Sequence, residues 1–567
     1  MNKRIGILLL ALALLLSACG LGAPAATPTP SPTPAPMVVP VEAVSGLPAG
    51  TNGYSWWNDT TFYEIFVRSF ADSNGDGIGD FNGITQKLDY LQGLGVTGLW
   101  LMPIYPSPSY HGYDVTDFYN VNSDYGTLDD FKNLVAQAHQ RGIRVILDLV
   151  LNHTSDQITW FQQAADPKSP YHDWYIWSDT DPGYSGPWGE QVWWPLAGKY
   201  YYGIFAQNMP DLNYRNPAVT TEMEKVTKFW LDLGVDGFRL DAAKHLIEDQ
   251  QTQADSDSTH AWLQQYLAYY KSVNPNAMTV GELSGDDAGT MASYINKKAL
   301  DLAFDFGSAS AMVAAANQGK AGNATMQLML SYKLISPLQF ATFLTNHDQD
   351  RLMSQLGNDP EKVKAAASML LTAPGVPFIY YGEEVGLEGS GQDPNKRQPM
   401  QWTADQNAGF STVFPWEPVG ADYQTYNVAS ESSDPNSILN HYKQLIQIRN
   451  QHAALRVGDL DVVTAGDPGL YAILRTSHPA DAAASVNEAV LVLVNLTSAP
   501  ISTYSLSIRK STLPQGSYHV LPIMGSGPAA DLNVAGQGDF SQYQPVASIP
   551  AYGTLILQLQ GAGITLK

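Results

Sequence analysis

The sequence predicts an α/β fold. The expected architecture is a closed (β/α)8 barrel of the TIM type, interrupted after its third strand by an inserted domain and followed by a C-terminal all-β sandwich. Three observations predict it. Eight short, β-prone apolar runs alternate with helical stretches from residue 62 to about 450. Four segments, RVILDLVLNH (144–153), GVDGFRLDAAKH (234–245), MTVGEL (278–283) and FATFLTNHDQDR (340–351), end in Asp, Glu, Asn, His or Arg. Buried parallel strands end this way where they line a barrel mouth. Finally, the alternation stops at two places, residues 151–215 and everything past about 455.

Taken in chain order, MNKR, the apolar run IGILLLALALLL and Leu16-Ser17-Ala18-Cys19 read as an export signal (1–18). Its end resembles a bacterial lipobox with Cys19 as the lipidated residue. The apolar run is short for a membrane span, which makes a transmembrane anchor the lesser reading. Cys19 is the one cysteine in the sequence, so the exported domain has neither an intramolecular disulfide nor thiol chemistry. Residues 19–50, rich in Pro, Thr, Ala and Ser, read as an extended linker that lifts the domain from the membrane.

Expected barrel strands are 62–67, 97–102, 144–150, 235–241, 278–282, 301–306, 340–345 and 376–381, with helices such as 129–142, 216–234 and 360–373 between them. The barrel then covers 51–150 and 216–455. Residues 151–215, dense in Trp, Tyr, Pro and Gly, form the inserted domain. LYAILRT (470–476), AVLVLVNLT (489–497) and TLILQL (554–559) are strands of a β domain over 456–567. The net charge of −23 argues against nucleic acid and anionic lipid as binding partners and suits a neutral substrate or a cation.

Arg239 and Asp241 lie two residues apart on one strand, so both side chains leave the same face. The guanidinium would keep Asp241 ionised, as a carboxylate nucleophile requires. Glu282 ends the next strand, where neighbouring carboxylates would raise its pKa and suit it to protonate a leaving oxygen. Asp348 adds a third acid, with His153 and His347 close by. Two carboxylates flanking one bond are the equipment of glycoside hydrolysis.

These segments resemble the α-amylase family, glycoside hydrolase family 13, over about 55–560. DLVLNH, GFRLDAAKH, GEL and NHD match its four signature regions. MPDLN (209–213) and GVTGLWLMPIYPS (95–107) match two more, and MPDLN is similar to the group intermediate between oligo-1,6-glucosidases and neopullulanases. The resemblance implies Asp241 as nucleophile, Glu282 as acid/base, Asp348 gripping sugar hydroxyls, Arg239 orienting the nucleophile and a retaining mechanism. It implies that His153 and His347 hydrogen-bond the sugar at the cleavage site and that Tyr113, within HGYD with His111 and Asp114, stacks beneath it. Lys244 and His245 would face the reducing-side subsites, and Arg351 is counted with the substrate-binding residues.

DSNGDGIGD (72–80) alternates oxygen ligands at Asp72, Asn74, Asp76, Ile78 (its carbonyl) and Asp80, the pattern of a calcium loop. It lacks the Glu of an EF-hand at position twelve. The resemblance implies a second Ca2+ at Asn152, Asp211 and the His245 carbonyl. The expected activity is endo-hydrolysis of α-1,4-glucans, starch or maltodextrins, by a monomer on the outer side of a bacterial membrane. A 4-α-glucanotransferase or a mixed α-1,4/α-1,6 enzyme is the alternative. A glycan-binding protein on an inactive barrel is a reading of another class, and the retention of all three acids with Arg239 stands against it.

Overall fold

The computed structural model describes residues 46–567 apart from 286, 480–484, 562–563 and 565–567. The expected export signal, Cys19 and nearly all of the Pro/Thr-rich linker lie outside the described residues. Among the described residues no helix is long and apolar enough to cross a membrane.

The barrel strands are β1 (Phe62–Ile65), β2 (Gly98–Leu101) and β3 (Arg144–Leu149). Three strands of the insert follow: β4 (Trp177–Ser178), β5 (Trp193–Leu196) and β6 (Lys199–Tyr202). The barrel resumes with β7 (Gly237–Leu240), β8 (Met278–Gly281), β9 (Leu302–Ala303), β10 (Ala341–Thr342) and β11 (Val376–Tyr380). Eight parallel strands run in the order β10-β11-β1-β2-β3-β7-β8-β9, and a bridge from Phe304 to Ala341 closes the ring. All eight expected strands are present, two of them much shortened. The 301–306 run stops early because Asp305 caps the helix Phe306–Gln318, its side chain accepting from Ser308 N.

The inward-facing residues form layers, as pleated strands in a barrel must. Phe62, Trp100, Ile146, Val280, Phe304, Phe343 and Phe378 pack as one apolar cluster. Trp56 and Trp57 extend that cluster at the N-terminal end of the barrel, where Trp56 donates to Asn276 O and Trp57 to Gln339 Oε1. Two residues beyond Phe62, Ile146 and Val280 come Glu64, Asp148 and Glu282, so the next layer of the same face is ionisable. Gly237 occupies the inward position below Arg239. A Cβ there would meet Met278 O at 2.3 Å, so only glycine admits the neighbouring strand.

The insert folds as a three-stranded antiparallel sheet, β4-β6-β5, around Val192, Trp193, Tyr202 and Ile204. The C-terminal part begins with β12 (Asp459–Val462), β13 (Leu470–Ser477) and β14 (Glu488–Asn495). It continues through β15 (Leu506–Ile508), β16 (Gly516–Met524), β17 (Leu532–Val534), β18 (Phe540–Tyr543) and β19 (Thr554–Gly561). Six of these strands form one sheet, and β15 with β18 forms a second. Val490, Val492 and Val494 pack with the barrel's helices, whereas Ala489, Leu491 and Leu493 face the sandwich interior. Both faces of β14 are buried, which is why AVLVLVN reads as an unbroken apolar run rather than an alternating one.

Two buried arginines stand where this sheet meets the barrel, and Arg475, on β13, ties one to the other. Arg449 donates to the carbonyls of Leu371, Ala373 and Gly375, and Arg475 to those of Thr372, Gly458 and Asp459. Both meet the carbonyl end of the helix Pro360–Thr372, where orphan carbonyls and the helix dipole favour a cation. Replacing Arg449 by Leu strands three buried carbonyls. The expected loss is about 3 kcal/mol of unfolding free energy, measured as a lower urea midpoint, and an unchanged midpoint contradicts this role.

Candidate active site

At the C-terminal ends of the strands lies a cavity of about 410 Å3, lined among others by Tyr113, His153, Asp241, Glu282, Asp348 and Arg397. Its chemistry is organised by Arg239, which is 1% exposed. Nη1 donates to Asp241 Oδ1 at 2.7 Å and to both oxygens of Asp148, at 2.9 and 3.0 Å. Nη2 donates to Glu282 Oε2 at 2.6 Å. The Trp100 ring lies under the guanidinium, 5.2 Å from its carbon. Strand register explains the arrangement: Asp148 pairs with Arg239 across β3 and β7, and Arg239 with Val280 across β7 and β8.

Burial pushes the Asp241 and Glu282 carboxyls above the usual range, and Arg239 opposes the shift in both. Asp148 is pushed by burial to about 7, again against the pull of Arg239. The two cavity acids are unlike in their bonding. Asp241 is held by Oδ1, and Glu282 accepts at Oε2 from both Arg239 and the backbone N of Ala242. Among the described residues no hydrogen bond engages Asp241 Oδ2 or Glu282 Oε1, which leaves both for substrate. Ala242 donates that bond from a left-handed backbone conformation, φ 45°, which costs a non-glycine residue energy and marks a constrained turn after the proposed nucleophile.

A second chain of charge runs from β1. His347 Nδ1 donates to Glu64 Oε1 at 2.6 Å. Its Nε2 faces the Tyr113 hydroxyl at 2.7 Å and Asp348 Oδ2 at 3.2 Å. Burial alone would lower the imidazole's pKa, but Asp348 and Glu64 carry it up to about 10, so His347 is an imidazolium at neutral pH. Asp348 shows the opposite balance: burial raises it, while His347 and then Arg397 hold it well below the carboxylate range. Arg397 Nη2 reaches Asp348 Oδ1 at 2.9 Å. Tyr113 donates onward to Asp148 Oδ2 at 3.2 Å, joining this chain to Arg239.

The remaining expected residues divide. His153 donates from Nε2 to Tyr113 O, and burial lowers its pKa to about 4, leaving a neutral ring with Nδ1 unpartnered. His111, Lys244 and His245 line the cavity, with Lys244 Nζ donating to Ser284 O. Two residues expected to bind substrate do not line it. Asp114 is 1% exposed and takes the hydroxyls of Ser107 and Ser109, so it braces the loop behind Tyr113. Arg351, also 1% exposed, stacks on Tyr380 and Tyr381 and donates to the carbonyls of Lys396 and Tyr381, pinning the loop that carries Arg397.

Sequence reasoning passed over Asp148, Glu64, Arg397 and Phe205. Asp148 was present within DLVLNH and Glu64 within FYEI, each two residues past an inward apolar side chain. Arg397 follows β11 in a segment without periodic pattern. Trp188, an exposed indole, packs over Phe205 and His245 at the cavity rim, with centroids 5.7 and 5.5 Å away. Trp193 instead packs within the insert, and Trp194 packs against the main core while donating to Gly203 O.

The oxygens of the expected calcium loop are engaged within the loop itself. Asp72, Asn74 and Asp76 side chains accept from the backbone N–H groups of Gly75, Asp76 and Ile78, and Asp80 caps the helix Phe81–Leu94 through Gly83 N. Among the described residues no three acidic, His or Cys side chains converge as around a metal. The oxygen set is nevertheless of the hard type calcium takes. Around the second expected site, both amide atoms of Asn152, Asp211 Oδ2 and Oε1 of Glu248 are buried and, among the described residues, make no well-formed hydrogen bond. Burial, then the Glu248 charge, raises Asp211 well above its range, and burial lifts Glu248 to about 7. A cation would relieve both, so these residues fit one, with Glu248 as a further oxygen donor.

Residues 64–458 match the family model described as the α-amylase catalytic domain. The chain is 43% identical over 429 residues to Alpha-amylase 3 of Dictyoglomus thermophilum, covering 74% of this chain and 83% of that protein. It is 34% identical to an oligo-1,6-glucosidase of Parageobacillus thermoglucosidasius, covering 78% and 90%. The crystal structure of an alpha-amylase from H. orenii superposes with a TM-score of 0.75 at 38% identity, covering 88% of this chain and 99% of that one.

The imidazolium of His347 has a consequence for stability. Its pKa is raised on folding, so its contribution is complete below the unfolded value near 6.5 and is lost as pH rises through about 10. In Glu64→Gln the folded value falls, and the alkaline decline in melting temperature is expected to begin at lower pH than in the parent. Superimposable pH–Tm profiles contradict the assignment.

Proposed function

The chain belongs to the α-amylase family, glycoside hydrolase family 13, and from that premise we propose that it is a retaining, endo-acting α-1,4-glucan hydrolase acting on starch or maltodextrins. The observation that carries this is the pair Asp241 and Glu282 on one guanidinium, each with one oxygen unclaimed among the described residues, in a cavity that also holds Asp348. In this reading Asp241 Oδ2 attacks the anomeric carbon while Glu282 Oε1 delivers its proton to the departing oxygen. Water then enters on the same side, with Glu282 now the base and the glycosyl ester on Asp241 cleaved. The raised pKa of buried Glu282 favours its protonated form before attack. Asp348, anionic between His347 and Arg397, accepts hydroxyl hydrogen bonds from the distorting ring.

Support for endo action comes from the wall beyond Glu282. Lys244, His245, Ser284, Phe205 and Trp188 continue the cavity on the side where the leaving group departs. Those same residues would hold a sugar acceptor, so 4-α-glucanotransfer or mixed α-1,4/α-1,6 cleavage is the second reading, favoured by the MPDLN segment and the oligo-1,6-glucosidase likeness. The chain is further proposed to be a lipid-anchored, extracytoplasmic monomer, from the lipobox-like Leu16–Cys19. Calcium is proposed at the 72–80 loop and at Asn152, Asp211, Glu248 and the His245 carbonyl, as a structural ion.

Digestion of maltoheptaose tests the activity. Shorter oligomers alone are expected, with Asp241→Asn slower by on the order of 10⁴-fold. Products longer than seven units favour transfer, and equal rates for the two proteins defeat the proposal. For the ion, melting temperature is expected to rise with the logarithm of calcium concentration and to fall in chelator. A curve indifferent to both removes calcium from the account.

A further inference from the structure

The long segment after β11 that carries Arg397 also holds a group of side-chain oxygens with no part in the proposed chemistry. Gln401 is 0% exposed. Its Nε2 donates to Tyr426 O, which fixes the amide and turns Oε1 the other way. There, among the described residues, Oε1 makes no well-formed hydrogen bond. Asp422 is half-buried as a residue, yet both its carboxyl oxygens are closed to water and neither makes a well-formed hydrogen bond to another residue. The two groups meet beside Gly420. A Cβ added there would lie 2.7 Å from Gln401 Oε1, 2.8 Å from Asp422 Oδ1 and 3.3 Å from Gln398 Oε1. Three acceptor oxygens from three side chains thus converge on the space that the absent Cβ leaves open. Gly420 is not in the left-handed region, so the space rather than the backbone angle favours glycine.

Acceptors that face one another with no donor between them are costly when buried, unless positive charge lies among them. Burial, and after it the Glu388 charge, pushes the Asp422 carboxyl up to about 6 against the pull of its own N–H, and no lysine or arginine is among the groups that shift it. A proton on Asp422 would serve one facing oxygen and leave Glu388 unbalanced. A divalent cation would serve all three oxygens and balance both carboxylates. Carboxylate and amide oxygens are the hard donors that calcium takes, with backbone carbonyls and water completing its shell. The donors also come from two separated parts of the segment. Gln398 and Gln401 follow Arg397, whose Nη2 reaches Asp348 Oδ1 at 2.9 Å. Asp422 opens the turn in which its carbonyl accepts from Thr425 N and Tyr426 N. An ion between them would close the loop behind Arg397.

We infer that Asp422, Gln401 and Gln398 form a binding site for a hard divalent cation of the calcium class, which clasps the loop carrying Arg397. The site uses none of the residues of the 72–80 loop or of the Asn152, Asp211 and Glu248 group, and it does not require the catalytic reading to hold. Equilibrium dialysis of the full chain against calcium at neutral pH, with metal counted per chain, tests it. Asp422→Asn is expected to bind one calcium fewer than the parent, a difference that does not depend on how many other sites fill. In chelator the variant is expected to melt no lower than the parent, because the new amide donates to Gln401 Oε1 and the buried charge is gone. Added calcium is then expected to raise the melting temperature of the parent more than that of the variant. Equal calcium counts in the two proteins, as a proton on Asp422 would give, or equal gains in melting temperature, overturn the inference. A crystal of the parent grown in calcium asks the same question without a substitution. An anomalous peak within about 2.6 Å of Asp422 Oδ1 and Gln401 Oε1 is expected, and a water there, or no peak, overturns the site.

Discussion

One buried guanidinium holds the catalytic end of the barrel together. Arg239 is surrounded by three carboxyl groups from three adjacent strands and lies over an indole ring, with almost no exposure to water. Burying that many acids is costly unless each is paired, and breaking such a cluster costs more than the pairing contributes. The single cation therefore acts as a template. It brings the ends of β3, β7 and β8 to one register and fixes one oxygen of Asp241 and one of Glu282, which leaves the other oxygen of each directed to chemistry. The second chain, Glu64 to His347 to Asp348 to Arg397, alternates in sign and meets the first at Tyr113. Ionisable groups at this density remain compatible with a stable barrel because opposite charges alternate.

The apolar layer beneath makes that arrangement possible. Phe62, Ile146 and Val280 fill the barrel one pleat below Glu64, Asp148 and Glu282, so strand geometry alone raises the polar groups to the mouth. The helix Pro360–Thr372 and β14 extend the same packing into the C-terminal sheet, with Arg449 and Arg475 closing the helix end. The insert contributes Phe205 and Trp188 to the rim of the cavity. Fold and chemistry are thus linked through register: a slip of one residue in β3 or β8 would exchange Asp148 or Glu282 for an outward-facing side chain.

Much of this was legible in the chain. The eight barrel strands were readable because parallel strands buried on both faces leave unbroken apolar runs, and Asp241, Glu282 and Asp348 were readable because each ends such a run. Asp148 and Glu64 were less visible. Each sits inside a motif that looked complete without it, and only the closed barrel shows that its side chain points inward. Arg397 left no local signal, since its position depends on Arg351 pinning a loop with no periodicity. Asp114 and Arg351 misled for the converse reason: they adjoin cavity residues in sequence, but burial turns them into braces. Burial also revised the electrostatics of Asp241. The neighbouring guanidinium suggested a simple ionised carboxylate, whereas desolvation pushes its pKa upward against that attraction.

In this mechanism Asp241 is expected to carry the glycosyl group during turnover. Mass spectrometry of the protein quenched during reaction with a slowly released glucosyl fluoride tests it directly. One added glucosyl unit is expected on the peptide containing Asp241 and none in Asp241→Asn. A glucosyl unit on Glu282 or Asp348, or steady turnover with no covalent species at any time, would contradict it.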